Sequence, residues 1–274
     1  MPLAVPPDLG YDALSVPMHP TQLLAAYDLL RQQVRLPGAI RRERPHLIRH
    51  DYPAGDGLIV YSELTADNAV EGIEEQQAFF RRQGQALSWM VYRHDTPAEL
   101  GTLLAERGFT PQAAQAVLVL ELQPLPALPE KTEHAVVRVL EPERLQAVAS
   151  IQEQVWGEPP SPADMDRLAK RIGESPAAFF LYLAYVDGHP AATAHLSLHS
   201  PAAWAALGGA ATLPAYRRRG LYRSLLLRRL RQAQQAGVRF LEAEASPMSQ
   251  PALQAIGFVH ITDCRLYDSP AQGS

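Results

Sequence analysis

Three consecutive guanidiniums followed by a glycine are the residues of this sequence best suited to chemistry. Arg217, Arg218 and Arg219 precede Gly220, and Gly220 stands at the mouth of a helix whose apolar stripe is Tyr222, Leu226, Leu230 and Ala233. A helix mouth presents unpaired N–H groups and a positive dipole end. Glycine lets an anion come close to the backbone, and guanidiniums clamp phosphate oxygens. The chemistry on offer is the holding of a phosphate or pyrophosphate. Seven arginines and no acid lie between Pro214 and Gln232, in a chain of formal net charge −4, so the remainder carries −11. A solvated basic helix accounts for the same residues equally well when they are taken alone.

Other reactive side chains lie nearby in sequence. Glu242 and Glu244 share one face of a short central strand, where a carboxylate is unusual unless paired or functional. A salt bridge to a nearby arginine is the alternative for Glu244. Thr193, His195, Ser197 and His199 also share a strand face. Strand residues four apart are separated by about 13 Å, so the two histidines cannot ligate one metal ion, and a solvated polar face is expected. Cys264 reads as buried filler rather than as a nucleophile.

The elements that must position these residues follow from periodicity and turn chemistry. In the first half, helices are expected at 21–35, 69–82 and 97–107, and strands at 57–64, 86–94 and 116–122. In the second half the order is a strand at 135–140, helices at 143–156 and 161–172, and strands at 179–186, 191–198 and 204–212. The basic helix, a strand at 240–245, a helix at 249–256 and a last strand at 258–267 complete it. Asp187-Gly188 signals a hairpin, and Ser161 with Asp164 a capping box. Prolines 124, 126 and 129 mark an interdomain linker. The expected domains are therefore 1–123 and 135–274, joined by 124–134.

At 274 residues, two domains are the prior. The 47% hydrophobic and 20% charged composition is that of a globular protein, and a pI near 6.1 argues against general nucleic-acid binding. No aromatic platform accompanies the arginines, so a nucleic-acid module is the weakest reading. A single cysteine fits a reducing cytosol, and MPLAVPPDLG has no signal-peptide character, so a cytoplasmic location without membrane association is expected.

The loop at 217–222 resembles the coenzyme-A pyrophosphate loop of the GCN5-related N-acetyltransferases, Gln/Arg-x-x-Gly-x-Gly/Ala. Arg217 and Gly220 match, and Tyr222 departs from the second small residue. Ala255-Ile256-Gly257-Phe258 resembles the family's second motif, and the element order from 135 to 268 is that of the family. The resemblance implies an α/β (α+β) fold with a mixed, mostly antiparallel sheet flanked by helices, and acetyl-CoA as cosubstrate without a metal. Arg217, Arg218, Arg219, Gly220, Leu221 and Tyr222 would take the pyrophosphate. Ala210, Ala211, Thr212 and Leu213 would pair with the pantetheine arm, with Gly208 and Gly209 leaving room. Ser246 stands where the family has asparagine, and Ser249 one turn on; as an N-cap Ser249 has an equally good structural role. The family's tyrosine acid is replaced by Leu253, leaving Tyr267 as a substitute acid and Glu244 as a water-mediated base. The expected reaction is acetyl transfer to an amine of a small-molecule or peptide acceptor; the alternative is a catalytically silent acyl-CoA sensor or scaffold.

The sequence also echoes itself. Leu104 to Phe109 resembles Leu253 to Phe258, so the first domain reads as a degenerate copy of the second. Its counterpart of the arginine loop, residues 65–76, carries Asp67, Glu71, Glu74 and Glu75. Carboxylates there satisfy the helix dipole and repel phosphate, so that copy is expected not to bind CoA.

Overall fold

Apolar residues at period two along the strands and period 3.6 along the helices give one sheet covered on both sides. The structure, a computed structural model, describes residues 17–52, 55–122, 132–199 and 203–269. The N-terminal half holds α1 (Pro20–Gln33), β1 (Ile40–Arg44), β2 (Leu47–Asp51), β3 (Gly57–Ser62), α2 (Ala69–Arg81) and β4 (Leu87–Tyr92). It continues with α3 (Leu100–Glu106), β5 (Thr110–Pro111) and β6 (Gln115–Glu121). The C-terminal half holds β7 (Ala135–Val139), α4 (Leu145–Trp156), α5 (Pro162–Glu174), β8 (Phe179–Val186), β9 (His189–Leu198) and β10 (Trp204–Thr212). Then come α6 (Leu221–Gln235), β11 (Phe240–Ala245), α7 (Gln250–Gln254) and β12 (Val259–Ser269). The hairpin β1–β2 has no counterpart in the expected elements. Of the expected linker 124–134, residues 124–131 lie outside the described residues.

Strand order is β1-β2-β3-β4-β12-β6-β11-β10-β9-β8-β7, with β5 paired to β12. The centre of this order carries a two-fold relation. Strands β3 and β4 are parallel and joined through α2; β10 and β11 are parallel and joined through α6. Each half then runs helix and strand, α3–β6 and α7–β12. Yet β12 sits between β4 and β6, and β6 sits between β11 and β12. Each half fills its central gap with the last strand of the other. The expected boundary at residue 123 therefore cuts the chain but not the sheet.

Local chemistry repeats as well. Both α2 and α6 end on a glycine with positive φ, Gly84 at 64° and Gly237 at 71°. After each, an N–H returns to the same place in the last turn: Gln85 to Phe80 at 3.0 Å and Val238 to Ala233 at 3.1 Å. The echo at 104–109 and 253–258 is one motif in space. The N–H of Phe109 bonds the Leu104 carbonyl at 3.1 Å, and that of Phe258 bonds Leu253 at 3.2 Å.

Helices α2, α3, α6 and α7 cover one side of the sheet, and α1, α4 and α5 the other. Helix α6 buries Leu225, Leu226 and Leu230 against Tyr182, Leu196 and Leu241. Helix α1 lies across the centre, where Leu23, Tyr27 and Leu30 meet Val117, Trp204, Phe240 and Cys264 and tie the halves together. A fully buried Leu contributes about 1.5–3 kcal/mol, so this seam is a substantial part of the fold.

Candidate functional site

Two strands that part company make the site. Strands β10 and β11 pair only from Trp204–Leu207 against Phe240–Ala243. Beyond that point β10 bulges: its register with β9 shifts between Gly208 and Ala211, and Gly209 has φ +58°, which glycine adopts without strain. The gap opens into a cleft of about 1180 Å³ that runs from the splay to the mouth of α6. Ala210, Ala211 and Thr212 border it on the β10 side, and Glu244 and Ser246 on the β11 side.

The mouth of α6 has the form of an anion cradle. Arg218 has φ +62° and Gly220, the N-cap, φ +82°. Left-handed residues alternating with right-handed ones turn successive N–H groups to one side. No backbone N–H from Arg218 to Arg223 has a protein partner among the described residues. Arg217 donates its Nε–H to the Thr212 carbonyl at 3.2 Å, which fixes the loop to the strand end. Arg217, Arg218, Gly220, Leu221 and Tyr222 all line the cleft. Leu213 and Arg219 do not: Leu213 packs with α4 and α5, and Arg219 turns over the Tyr216 ring, 5.4 Å from its centroid.

One acid shares this mouth. Glu133, just before β7, lies where a Gly220 side chain would go; a Cβ there would sit 2.3 Å from its carboxylate oxygen. It also faces the Arg223 guanidinium at 3.5 Å, and both side chains are 63% exposed. The sequence offered no sign of Glu133, which falls in the stretch expected as linker.

Across the cleft, Glu242 and Glu244 point to the α1 side of the sheet, as the shared strand face requires. Their environments differ. Glu242 accepts from His199 Nε2 at 2.6 Å. Glu244 has no ion-pair or hydrogen-bond partner among the described residues, so the arginine salt bridge is absent there. Burial between the cleft walls pushes the Glu244 carboxyl up to about 7, and the like charge of Glu242 adds to this. Its surface is open to the cleft, where water works against that rise.

The polar face of β9 is not solvated, contrary to expectation. Thr193 donates to the Tyr182 carbonyl at 3.0 Å, and Ser197 accepts from Arg171 of α5 at 3.0 Å. The His195 ring lies against Gly208 and Gly209, where a Cβ would meet it at 2.4 Å and 2.6 Å. Burial, reinforced by Arg171 and Arg229, lowers its pKa to about 3, so the ring is neutral. No group of three metal-ligating side chains occurs among the described residues.

Tyr267 is a correction. Its strand pairs it with Trp89 of β4, and its hydroxyl packs under α3 against Gly101. That is the opposite side of the sheet from Glu244, so it cannot serve the cleft as an acid. Ser246 and Ser249 both line the cleft with their hydroxyl oxygens 3.3 Å apart. Ser249 occupies the N-cap position of α7 but makes no side-chain cap bond; it donates to the Ser246 carbonyl instead. Leu253 is buried at the cleft wall, so no hydroxyl replaces the absent tyrosine from that position. Residues the sequence reading missed include Trp156 and Met248, which present apolar surface at the rim, and Gln115 of the N-terminal half. Gln115 reaches the cleft only because β6 is inserted beside β11.

Comparisons agree with this geometry. Residues 145–258 match the model of the acetyltransferase (GNAT) family. No curated protein matches the chain. Among solved structures, a GCN5-related N-acetyltransferase from Kribbella flavida is similar over 93% of this chain and 96% of its own, at 18% identity and a TM-score of 0.63. A functionally unknown conserved protein from Staphylococcus epidermidis is similar over 85% and 94%, at 14% identity and 0.64. A tandem GNAT protein from the clavulanic acid biosynthesis pathway is similar over 90% and 88%, at 14% identity and 0.54. These likenesses show a shared fold, and no helix among the described residues is long and apolar enough to cross a membrane. With the family model spanning α4 to the end of the second motif, the chain carries a GNAT-family acetyltransferase domain in its C-terminal half.

Proposed function

We propose that this chain is an acyl-CoA-dependent N-acetyltransferase that moves an acetyl group from acetyl-CoA directly to an amine of a small molecule or peptide. The observation that carries the reading is the run of unpartnered N–H groups at 218–223, set among arginines at the end of a cleft between splayed strands. A pyrophosphate fits the mouth, and a pantetheine arm fits the cleft, where its amides meet the free edge of β10. Arg217, Arg218 and Gly220 hold the phosphates, and Ala210 to Thr212 border the arm. Glu244, with no partner among the described residues and a raised pKa, is suited to take the amine proton through a water near neutral pH. In this reading residues 135–274 carry the site. Residues 1–123 form a CoA-silent copy that lends β6, and the proline-rich stretch 124–134 joins them. A cytoplasmic location belongs to the same proposal.

One observation favours a second reading, an acyl-CoA sensor: with Leu253 at the acid position and Tyr267 behind the sheet, neither of these two positions offers the cleft an acid for the leaving thiolate. Titration with acetyl-CoA is expected to show one site per chain. Thiol release with a library of amines then separates the two readings. Release with at least one amine supports the transferase, and binding without release across the library supports the sensor. Two equivalent sites, or none, would overturn the assignment of the cleft.

A further inference from the structure

Arg229 is a buried cation without a counter-charge. It lies on the sheet side of α6, 1% exposed, and it lines the cleft. Its Nε donates to the Leu225 carbonyl at 3.2 Å and its Nη1 to the His195 carbonyl at 3.3 Å. Nη2 is buried with no partner, and no carboxylate pairs with the group among the described residues. Burial lowers its pKa to about 10, with Tyr222 and Tyr182 opposing, so it stays charged at neutral pH. Buried charges are ordinarily paired, and one left unpaired at a cleft points to something that arrives.

The position says what arrives. His195, whose carbonyl holds Nη1, pairs with Gly208, the residue at which β10 leaves its register with β9. The guanidinium is therefore at the splay of β10 and β11. Nine residues of helix separate it from Gly220, a span of about 13 Å along the axis. If a pyrophosphate occupies the mouth of α6, the pantetheine arm reaches back along the cleft and brings its thioester to this end. Glu244 stands on the opposite side of the sheet from Arg229, so a carbonyl in the gap has a carboxylate above it and a guanidinium below.

We propose that Arg229 is a catalytic residue, donating from Nη2 to the thioester carbonyl oxygen and holding the negative charge that develops there. The proposal rests on the acyl-CoA reading of the cleft. The amine lone pair forms the C–N bond while the carbonyl π pair moves onto oxygen, facing Arg229. Collapse restores the carbonyl and breaks the C–S bond. The ammonium proton leaves to Glu244 through its water, and cleft water relays one proton from there to the thiolate, so that Glu244 ends as it began. Acetyl-CoA and amine thus become amide and CoA thiol. A charge fixed in a dry site stabilises such an oxyanion without reorganisation during the step.

The test needs no known acceptor. The infrared carbonyl band of carbonyl-13C acetyl-CoA is recorded free and bound to wild type, Arg229→Met and Arg229→Lys, with CoA affinity and melting temperature measured for each. Wild type is expected to shift the band to lower wavenumber, Arg229→Met to lose most of that shift, and Arg229→Lys, which keeps the charge without the fork, to lose part of it. CoA affinity should hold within about threefold, and Arg229→Met should melt no lower than wild type, since it removes an uncompensated buried charge. With any responsive amine, thiol release should fall about 10²–10³-fold in Arg229→Met. One band position in all three proteins overturns the proposal. So does a preference for succinyl-CoA over acetyl-CoA that Arg229→Met abolishes, because the guanidinium would then pair with a carboxylate on the acyl chain. Failure of CoA itself to bind wild type removes the parent reading, and titration tells that outcome apart.

Discussion

Helix α2 enters at Asn68 and helix α6 at Gly220, at equivalent points of two crossovers built on one plan. At α2 the entry is a short turn whose first amides are paired within the chain, while those of Val70 and Glu71 are not, among the described residues. Asn68 Oδ1 accepts from the Thr65 N–H at 2.7 Å, the Thr65 carbonyl accepts from Ala69 at 3.0 Å, and Asn68 keeps a negative φ. Glu71 lies in its first turn, and Leu64 and Ile73 pack the space beneath. At α6 the chain turns through two left-handed residues, leaves its N–H groups open and surrounds them with arginine. On the α1 side, β4 presents Met90 and Tyr92 to the core, whereas β11 presents Glu242 and Glu244 to the cleft. One frame therefore carries an acidic, tightly packed helix mouth in one half and an open, basic one in the other.

The largest expected effect lies at the carboxylate that has no counterpart. Glu244→Gln should keep acetyl-CoA affinity and lose about 10²–10⁴-fold in turnover, as for loss of a general base. In wild type, kcat/KM should fall as pH drops below about 7, where Glu244 takes up its proton. Its stability effect has the opposite sense to that of an ion-paired acid. A raised native-state value favours folding at low pH, and that contribution is lost as pH rises through about 7. Glu244→Gln should therefore gain in melting temperature relative to wild type above pH 7. A drop in melting temperature with turnover retained would assign Glu244 to structure.

A smaller effect compares the two helix mouths directly. Gly220→Asp adds a Cβ to a left-handed residue and a negative charge to the anion site. It should weaken acetyl-CoA binding by about a hundredfold, or about 2.8 kcal/mol. Asn68→Asp at the other mouth should leave binding unchanged. Equal losses would break the comparison. The smallest effects come from charges at the periphery. Glu133→Gln removes an exposed acid beside the phosphate position and should tighten binding by about two- to fivefold. Arg228→Ala, whose side chain reaches the Tyr182 ring rather than the cleft, should change affinity by less than about twofold. Titration at two salt concentrations checks both, since the Glu133 gain should shrink as salt rises.

How much of this was legible depended on whether a residue's role is local. Phe179–Val186, Trp204–Thr212 and Phe240–Ala245 stand at the bounds that apolar runs and turn residues gave them. Asp187 and Gly188 form the hairpin turn with φ of 49° and 81°, and Ser161 and Asp164 form the capping box. Strand β1 escaped notice because Ile-Arg-Arg-Glu-Arg is an exposed edge with no alternation to read. The arginine loop was readable, since a helix mouth is defined by neighbours in sequence. Tyr267 was misplaced because a strand's face and partner are set by tertiary pairing, and here its partner is β4. Arg229 looked like one more residue of a basic helix; only packing reveals that its guanidinium is buried and, among the described residues, lacks an acidic partner.

The crossed strands have a consequence for synthesis. Tyr92 of β4 pairs with Cys264 of β12, and Ala116 of β6 pairs with Ala245 of β11. When the ribosome has made the N-terminal half, β6 has neither of its neighbours and β4 lacks one of its two. Neither half can close until nearly the whole chain has emerged, so domain-by-domain folding during translation is barred to this molecule. Such long-range pairing slows folding and leaves apolar strand edges uncovered in the nascent chain, where chaperones would bind. The same crossing means that a nonsense mutation deleting β12 would take a strand from both halves at once.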